Sequence, residues 1–351
     1  MMKNKLFFTI CLFCNLVYAK EPNFSFYTQT GFEYDSNVLK TFDQSQSGFL
    51  TRLLLHADGN FLQGNQSKLS LQYNGGGKIF FDHTEQNMII QSFDMPWSIQ
   101  LNKKQNVLFK TSFKHQNEND DRDPDNLDVN EDFLSVREEA AWTVQPNAKN
   151  RLKLQGQFGY FHFFPRSSFS FFSERVGLEY RYQLKSRIWV STQYGLSFQQ
   201  FQNSDRSDTE HEFSIGLHSF IIPYFSLKYQ FEINESSVDL YDSTNHRITL
   251  LISHLFGQRD KQEASLFSIH FLATLQVRNF PSVTAQSQEG VRFLLTGAED
   301  QNFNHITLKL SYHPRDAWAL EAKYSRFSNE LSSQDIHFSR DLYYIGFRHS
   351  I

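Results

Sequence analysis

The feature that most limits how this chain can fold is an alternation of apolar and polar side chains with a period of two. Phe225, Leu227, Tyr229, Phe231 and Ile233 are apolar, whereas every residue between them is polar. Successive side chains of a β-strand point to opposite faces, so such a strand has one apolar and one polar face. The alternation therefore predicts strands that expose only one face to water.

About sixteen segments share this alternation, and the pattern leaves the count open between about 14 and 18. One further segment, 291–295, is either an extra strand or part of a long loop. The predicted strands, with ends uncertain by about two to four residues, are 24–34, 48–62, 68–81, 88–101, 107–115, 133–144, 151–163, 172–184, 187–201, 211–221, 224–234, 246–256, 263–279, 304–313, 317–327 and 341–351.

The length of these segments separates two all-β architectures. Most run for about ten to thirteen residues, whereas the strands of soluble β-sandwiches usually have about five or six. Strands that cross a membrane at a tilt need about nine to eleven residues. Because hydrocarbon offers no hydrogen-bond partners, strands can cross it only in a closed barrel, which has no unpaired edge. We therefore expect a transmembrane antiparallel up-and-down β-barrel rather than a sandwich.

The connections between the predicted strands alternate in length. Short turns at one rim and long loops at the other are typical of bacterial outer-membrane barrels, and they place both termini on the periplasmic, short-turn side. The short connections are 64–67, 145–150, 185–186 and 222–223, and the long polar ones are 35–47, 116–132, 235–245 and 280–303.

The first residues read as a secretory signal peptide. Lys3 and Lys5 form a basic region, and residues 6–16 form an apolar one. The small residues Val17 and Ala19 follow at the −3 and −1 positions of a cleavage site, so we expect cleavage after Ala19. The alternative, a membrane anchor, is disfavoured because the apolar run is too short to span a bilayer. The sequence thus divides into a signal peptide and one outer-membrane β-barrel, with the bounds 1–19 and 20–351.

Composition agrees with a barrel and excludes other classes. Both cysteines, Cys11 and Cys14, lie in the predicted signal peptide, so the mature chain is expected to form no disulfide. No apolar stretch approaches 18 residues, which argues against a helical membrane protein. Mean hydropathy is −0.50 although 16% of the residues are aromatic, as expected where half of each strand is polar. The acidic net charge of −4 gives no reason to expect nucleic-acid binding.

The final segment, 341–351, resembles the C-terminal signal strand of bacterial outer-membrane β-barrel proteins of the porin-like kind. That resemblance implies recognition by the barrel-insertion machinery, location in the outer membrane, and contact with its lipid and lipopolysaccharide. Ile351 departs from the commoner terminal Phe, and His349 departs from an apolar face. The residues that share the apolar face with the chain end are Tyr343, Ile345, Phe347 and Ile351.

A second resemblance lies at the end of the first strand. The run Tyr-Asp-Ser-Asn-Val at 34–38 resembles the opening hairpin of several barrel families, one being the barrel module of surface-lipoprotein assembly factors. It covers five residues and supports the barrel class; alternatively it is an Asx-type turn that leaves a strand.

The strand parity places many basic side chains on the polar, inward face. A barrel of about sixteen strands is wide enough to leave an aqueous channel, and basic walls favour anions. Alternatively, these charges pair with one another and with a loop folded inward. The candidate pore-lining residues are Arg52, Lys68, Lys78, Lys110, Lys114, Arg137, Arg151, Lys153, Arg181, Lys228, Lys309, Lys323 and Arg348.

The loop 116–132 has eight Asp or Glu residues against one Arg. Its alternate carboxylates partly match a calcium loop, since Ca²⁺ prefers several oxygen ligands. Asn126 stands where such a loop has Gly, and a solvated acidic loop is the alternative. The weak calcium candidates are Asp121, Asp123, Asp125 and Asp132.

Chemistry typical of enzymes is missing from the sequence. His115, His162 and His211 lie near predicted rims, but no Ser-containing elbow, phosphate-binding loop or Cys/His metal set accompanies them. We therefore expect neither an enzyme nor a bound cofactor.

Two functions remain open at this point. The first is a porin-like channel for passive diffusion of small hydrophilic solutes with a weak anion preference, in which a homo-oligomer is compatible with the fold. The second is a non-channel barrel that acts as an adhesin, receptor or assembly scaffold through loops such as 280–303 and 116–132.

Overall fold

A computed structural model describes residues 24–38, 45–118, 132–164, 167–202, 204–221, 223–258, 265–279, 304–315, 317–328 and 339–350. The described chain is almost entirely extended, with three single-turn 3₁₀ segments at Thr84–Gln86, Ser167–Phe169 and Asp239–Tyr241. The strands are β1 (Phe24–Asp35), β2 (Gly48–Gln63), β3 (Ser67–Phe80), β4 (Met88–Asn102), β5 (Gln105–Glu118), β6 (Phe133–Asn147), β7 (Asn150–Phe163), β8 (Phe171–Lys185), β9 (Ile188–Phe201), β10 (Ser207–Ser219), β11 (Tyr224–Ser236), β12 (Ser243–Gln258), β13 (Ser265–Asn279), β14 (Asn304–Arg315), β15 (Trp318–Ser328) and β16 (Ser339–Ser350).

The strands form one closed antiparallel barrel in which each strand pairs with its neighbours in sequence. The seam between β1 and β16 closes it, with a register that runs from Tyr27 opposite Ser350 to Asp35 opposite Leu342. The predicted fold class and the count of sixteen strands are therefore confirmed. Within the described residues, no helix is long and apolar enough to cross a membrane.

The first residues of the strands differ most from the sequence prediction at β10 and β12. These strands begin at Ser207 and Ser243 rather than at 211 and 246. The added residues are mostly polar, so the apolar alternation gives no signal there. Their backbone groups still pair with β9, β11 and β13, because a hydrogen-bond ladder does not require an apolar side chain.

The two faces of the barrel have opposite chemistry. Phe32 and Ile345, which are opposite each other across the seam, are 67% and 73% exposed on the outer surface. Their chain neighbours Glu33 and Tyr344 point inward and are buried. The alternation predicted from sequence thus directs apolar side chains outward and polar side chains to the interior.

The two rims also differ. At one rim the turns are short, as between β4 and β5 or between β8 and β9, where two residues connect the strands. Arg187 in the second of these turns has φ of 68°, the left-handed conformation that two-residue hairpin turns require. At the other rim the longest connection is 280–303. The assignment of the short-turn rim to the periplasm stays a prediction.

A small apolar cluster lies inside the barrel at the long-loop rim. Val38, Leu50 and Phe80 are buried against one another, and Val38 N–H donates to the Gln46 carbonyl at 2.7 Å. This contact holds the described ends of the first long loop against the inner wall of β2 and β3.

Candidate functional site: the charged inner wall

All thirteen candidate pore-lining residues lie on the inner face. The register shows this strand by strand, since Arg52 is opposite Lys78, Lys110 is opposite Glu139, and Lys323 is opposite Lys309. The sequence parity therefore places these side chains on the correct face. Their role in lining a conducting pore stays a prediction.

Glu33 organises the wall formed by β1, β2 and β3. Its side chain is 0% exposed, and its two carboxylate oxygens accept from Arg52 at 3.2 Å and from Lys78 at 2.8 Å. Arg52 and Lys323 both lie 6.0 Å from the centre of the Tyr344 ring. One buried carboxylate thus holds two cations in place, and a third cation lies near the same aromatic ring as Arg52.

A similar arrangement spans β14 to β16. The Glu321 carboxylate lies 2.9 Å from Lys309 and 3.8 Å from Arg348. Glu321 is itself buried. Like Glu33, it is a buried carboxylate that pairs with two cations. The wall from β14 through β3 therefore carries more positive than negative side chains.

Single ion pairs recur on β4 to β7. Lys110 lies 2.8 Å from Asp94, which also accepts from the Ser112 hydroxyl at 2.6 Å. Lys153 lies 3.3 Å from Glu139. These pairs join adjacent strands along the hydrogen-bonding direction, so they brace the wall as well as reducing its net charge.

The most acidic part of the described wall lies on β10 and β11. Carboxylate oxygens of Glu210, Glu212 and Glu232 lie within 4.8 Å of one another. Arg175 pairs with Glu212 and lies 3.8 Å from Glu210, and Lys228 lies 3.8 Å from Glu212. The two cations explain how the three carboxylates are held so close together.

Sequence reasoning named neither Glu210 nor Glu212 as an inner residue. Glu212 lies inside the predicted strand 211–221 with the same parity as the inward-facing His218, so the alternation was enough to place it. Glu210 lies before the predicted start, where 207–210 are all polar, and only the pairing of β10 with β9 and β11 shows that it belongs to the strand.

Charge pairing is the prevailing state of the candidate residues. Lys68, Arg137 and Arg151 differ, because they are exposed and make no ion pair with any carboxylate of the described chain. The alternative considered from sequence, mutual pairing of the inner charges, therefore holds for much of the wall. The candidate residues that form ion pairs are Arg52, Lys78, Lys110, Lys153, Arg181, Lys228, Lys309 and Arg348.

Most of the weak calcium candidate falls outside the described residues, as do 1–19 and 291–295. Of its four carboxylates only Asp132 is described, and it accepts from the Asn117 amide at 3.2 Å. Calcium binding there stays a prediction.

The rim histidines predicted from sequence lie on the outer face. His211 Nδ1 is 3.0 Å from the Tyr194 hydroxyl, and His162 Nδ1 is 3.1 Å from Ser170 Oγ. His115 lies against the Phe164 ring. These contacts are local packing and hydrogen bonding at the surface of the barrel.

Comparison with known proteins finds likeness only at the level of the barrel. No family model matches the chain, and no curated protein matches it. Among solved structures, a protein described as a bacterial polysaccharide outer membrane secretin aligns over 92% of this chain and 98% of its own, with 6% identity and a TM-score of 0.49.

Engineered variants of the porin from Rhodopseudomonas blastica give a comparable result. One triple mutant aligns over 94% of this chain and 100% of its own, with 9% identity and a TM-score of 0.42. At these values no residue of the inner wall acquires a role from either neighbour, and the closed topology follows from this chain's own strand pairing.

Proposed function

We propose that this protein is a porin-like channel of the bacterial outer membrane through which small hydrophilic solutes diffuse passively. The observation that carries the proposal is the closed sixteen-stranded barrel whose outer face is apolar and whose inner face is charged. A barrel of about this strand number encloses an aqueous lumen.

The outer surface supports placement in a membrane. Large apolar side chains that are exposed there include Phe93, Trp97, Phe109 and Trp142, and the Trp97 indole donates to Ser67 Oγ at 2.9 Å. An exposed apolar surface of this extent is costly in water and favourable against lipid. Tryptophan with a satisfied N–H is typical of the membrane interface.

The inner wall supports a mild preference for anions. Glu33 and Glu321 each pair with two cations, and Lys68, Arg137 and Arg151 add positive charge that forms no ion pair with a described carboxylate. Pairing of the other residues keeps the preference weak, because rings of unpaired Lys and Arg are what select strongly for anions.

Planar-bilayer recording of the refolded mature protein tests the proposal. Stable, ohmic single-channel steps are expected in 1 M KCl. The contrary result is a barrel that is folded, as shown by a heat-dependent shift in gel mobility, and that inserts into the bilayer without conducting. That result would contradict the channel proposal and favour the surface adhesin, receptor or scaffold considered from the sequence.

A further inference from the structure

On β6 to β9, five phenylalanines occupy the inner face at the long-loop rim, where the alternation otherwise places polar residues on these strands. Each is the first or last residue of its strand or lies two residues from that end, and each shares its face with polar residues such as Arg137 and Ser173. We call this set the inner phenylalanine row; its members are Phe133, Phe161, Phe163, Phe171 and Phe201.

Strand register brings the rings of the row into contact. Phe161, Phe171 and Phe201 are opposite one another on β7, β8 and β9. Their ring centres are 4.7 Å and 5.3 Å apart, and the first pair is stacked at 19°. Phe133 and Phe163 form a second pair at 6.0 Å. These distances lie in the range of favourable aromatic pairs.

Cations flank the row at both ends. Lys114 Nζ lies 4.9 Å from the Phe133 ring centre, and the Arg137 guanidinium lies 5.4 Å from that of Phe161. At the far end the Arg206 guanidinium lies 4.0 Å from Phe201. Such contacts orient a cation beside an aromatic surface.

Arg137 is better placed than Arg206 to meet a solute. Arg206 already pairs with Asp208, with Nε 3.0 Å from Oδ1. Arg137 is exposed, and its contact with Phe161 is not accompanied by an ion pair to any carboxylate in the described part of the chain. An anion that approaches it meets an aromatic surface at the same point.

Burial shows that the row is not closed off as a core. Phe201 is 9% exposed, whereas the other four members are half-buried. Apolar rings left partly exposed on a polar wall favour contact with an apolar group of a ligand. Partly exposed rings beside Arg137 therefore favour a ligand in which a flat apolar group is joined to an anionic group.

We propose that the inner phenylalanine row and Arg137 form a binding site for small aromatic carboxylates at the long-loop mouth of the barrel. The ring of the ligand packs against Phe161 and Phe171, and its carboxylate pairs with Arg137. The proposal rests on the proposed channel for its account of how the solute is then carried inward, but binding itself does not require conduction.

Isothermal titration of the refolded full barrel in detergent micelles, with empty micelles as the blank, tests the site. Benzoate should bind about tenfold more tightly than acetate, which lacks the ring, or benzyl alcohol, which lacks the charge. Glucuronate, whose carboxylate is carried by a puckered polar ring, should bind as weakly as acetate. Benzoate affinity no greater than that of acetate, or glucuronate affinity equal to that of benzoate, would overturn the assignment.

Matched variants locate the site. The double variant Phe161→Ala with Phe171→Ala should weaken benzoate binding about tenfold, and Arg137→Gln should weaken it by a similar factor. The control is Phe158→Ala with Phe172→Ala, an outward-facing pair on the same two strands whose ring centres are 6.2 Å apart, which should leave benzoate binding unchanged. An equal effect of the inner and outer pairs would count against the proposal, and Arg137→Gln provides the test if the inner double variant does not fold.

The two proposals fail separately. Benzoate binding to a barrel that does not conduct would refute the channel and retain the site. Conduction without benzoate binding would refute the site and retain the channel.

Discussion

Glu33 is the side chain on which the inner wall of β1 to β3 depends. It is completely buried and holds Arg52 and Lys78 through separate oxygens. A buried carboxylate that joins two cations compensates charges which would otherwise repel each other at short range.

Glu33→Gln should therefore lower the free energy of unfolding by about 3 kcal/mol, because it leaves two inner cations without their shared anion. Urea titration in phospholipid vesicles measures the change. The control is Glu179→Gln, whose partner Arg181 is 39% exposed and whose loss should cost less than about 1 kcal/mol. Equal losses in the two variants would show that Glu33 has no special structural role.

Some of this residue-scale detail could be read from sequence, and some could not. The alternation of apolar and polar residues in the sequence is enough to place Arg52 and Lys78 on the inner face. Their common partner lies 45 residues from Lys78, and the contact depends on the register across three strands. A period-two pattern fixes the face of a side chain but not its height relative to the next strand.

At the scale of elements, the β1–β16 seam is where the sheet closes on itself. Gly31 is opposite Gly346 there, and the Tyr344 ring lies over both glycines. A Cβ atom added at Gly31 would lie 2.3 Å from the Ile345 carbonyl oxygen and 2.6 Å from Gly346 Cα. Both of these neighbours are backbone atoms, so the closing strands approach too closely for any side chain.

Gly31→Ala should accordingly destabilise the barrel by about 1–3 kcal/mol, because overpacking forces the seam apart. Urea titration in vesicles and the heat-dependent shift in gel mobility report the loss. Gly156→Ala is the matched control, since nothing lies within 4 Å of a Cβ atom built there. Destabilisation by the control, or none at Gly31, would contradict the steric account.

The number of strands was predictable to within about two, because each strand carries its own alternation. The polar starts of β10 and β12 were not, because only backbone pairing extends the strands there. The inner phenylalanine row was also missed. Its members resemble ordinary strand-end aromatics until register places Phe161, Phe171 and Phe201 side by side.

At the scale of the whole molecule, the charges on the inner wall predict the ion selectivity of the proposed channel. Reversal potentials in a KCl gradient should show a mild anion preference. Replacing Lys68, Arg137 and Arg151 together with Gln should abolish it, because these cations are exposed and no described carboxylate pairs with them.

The control for selectivity is the double variant Lys153→Gln with Glu139→Gln. It removes a pair joined at 3.3 Å and leaves the net charge unchanged, so the reversal potential should not move. A cation preference in the unmodified protein would contradict the assignment of the inner wall.

The central claim is that alternate residues of each strand face lipid and water, and thiol labelling along β11 tests it most directly. The mature chain is predicted to contain no cysteine, so single Cys replacements at positions 225–231 are unique targets. In vesicles, a membrane-impermeant maleimide should label Ser226→Cys and Lys228→Cys rapidly. Cys at the apolar positions Phe225, Leu227, Tyr229 and Phe231 should react slowly. Equal labelling at all of these positions, or faster labelling at the apolar ones, would contradict the account.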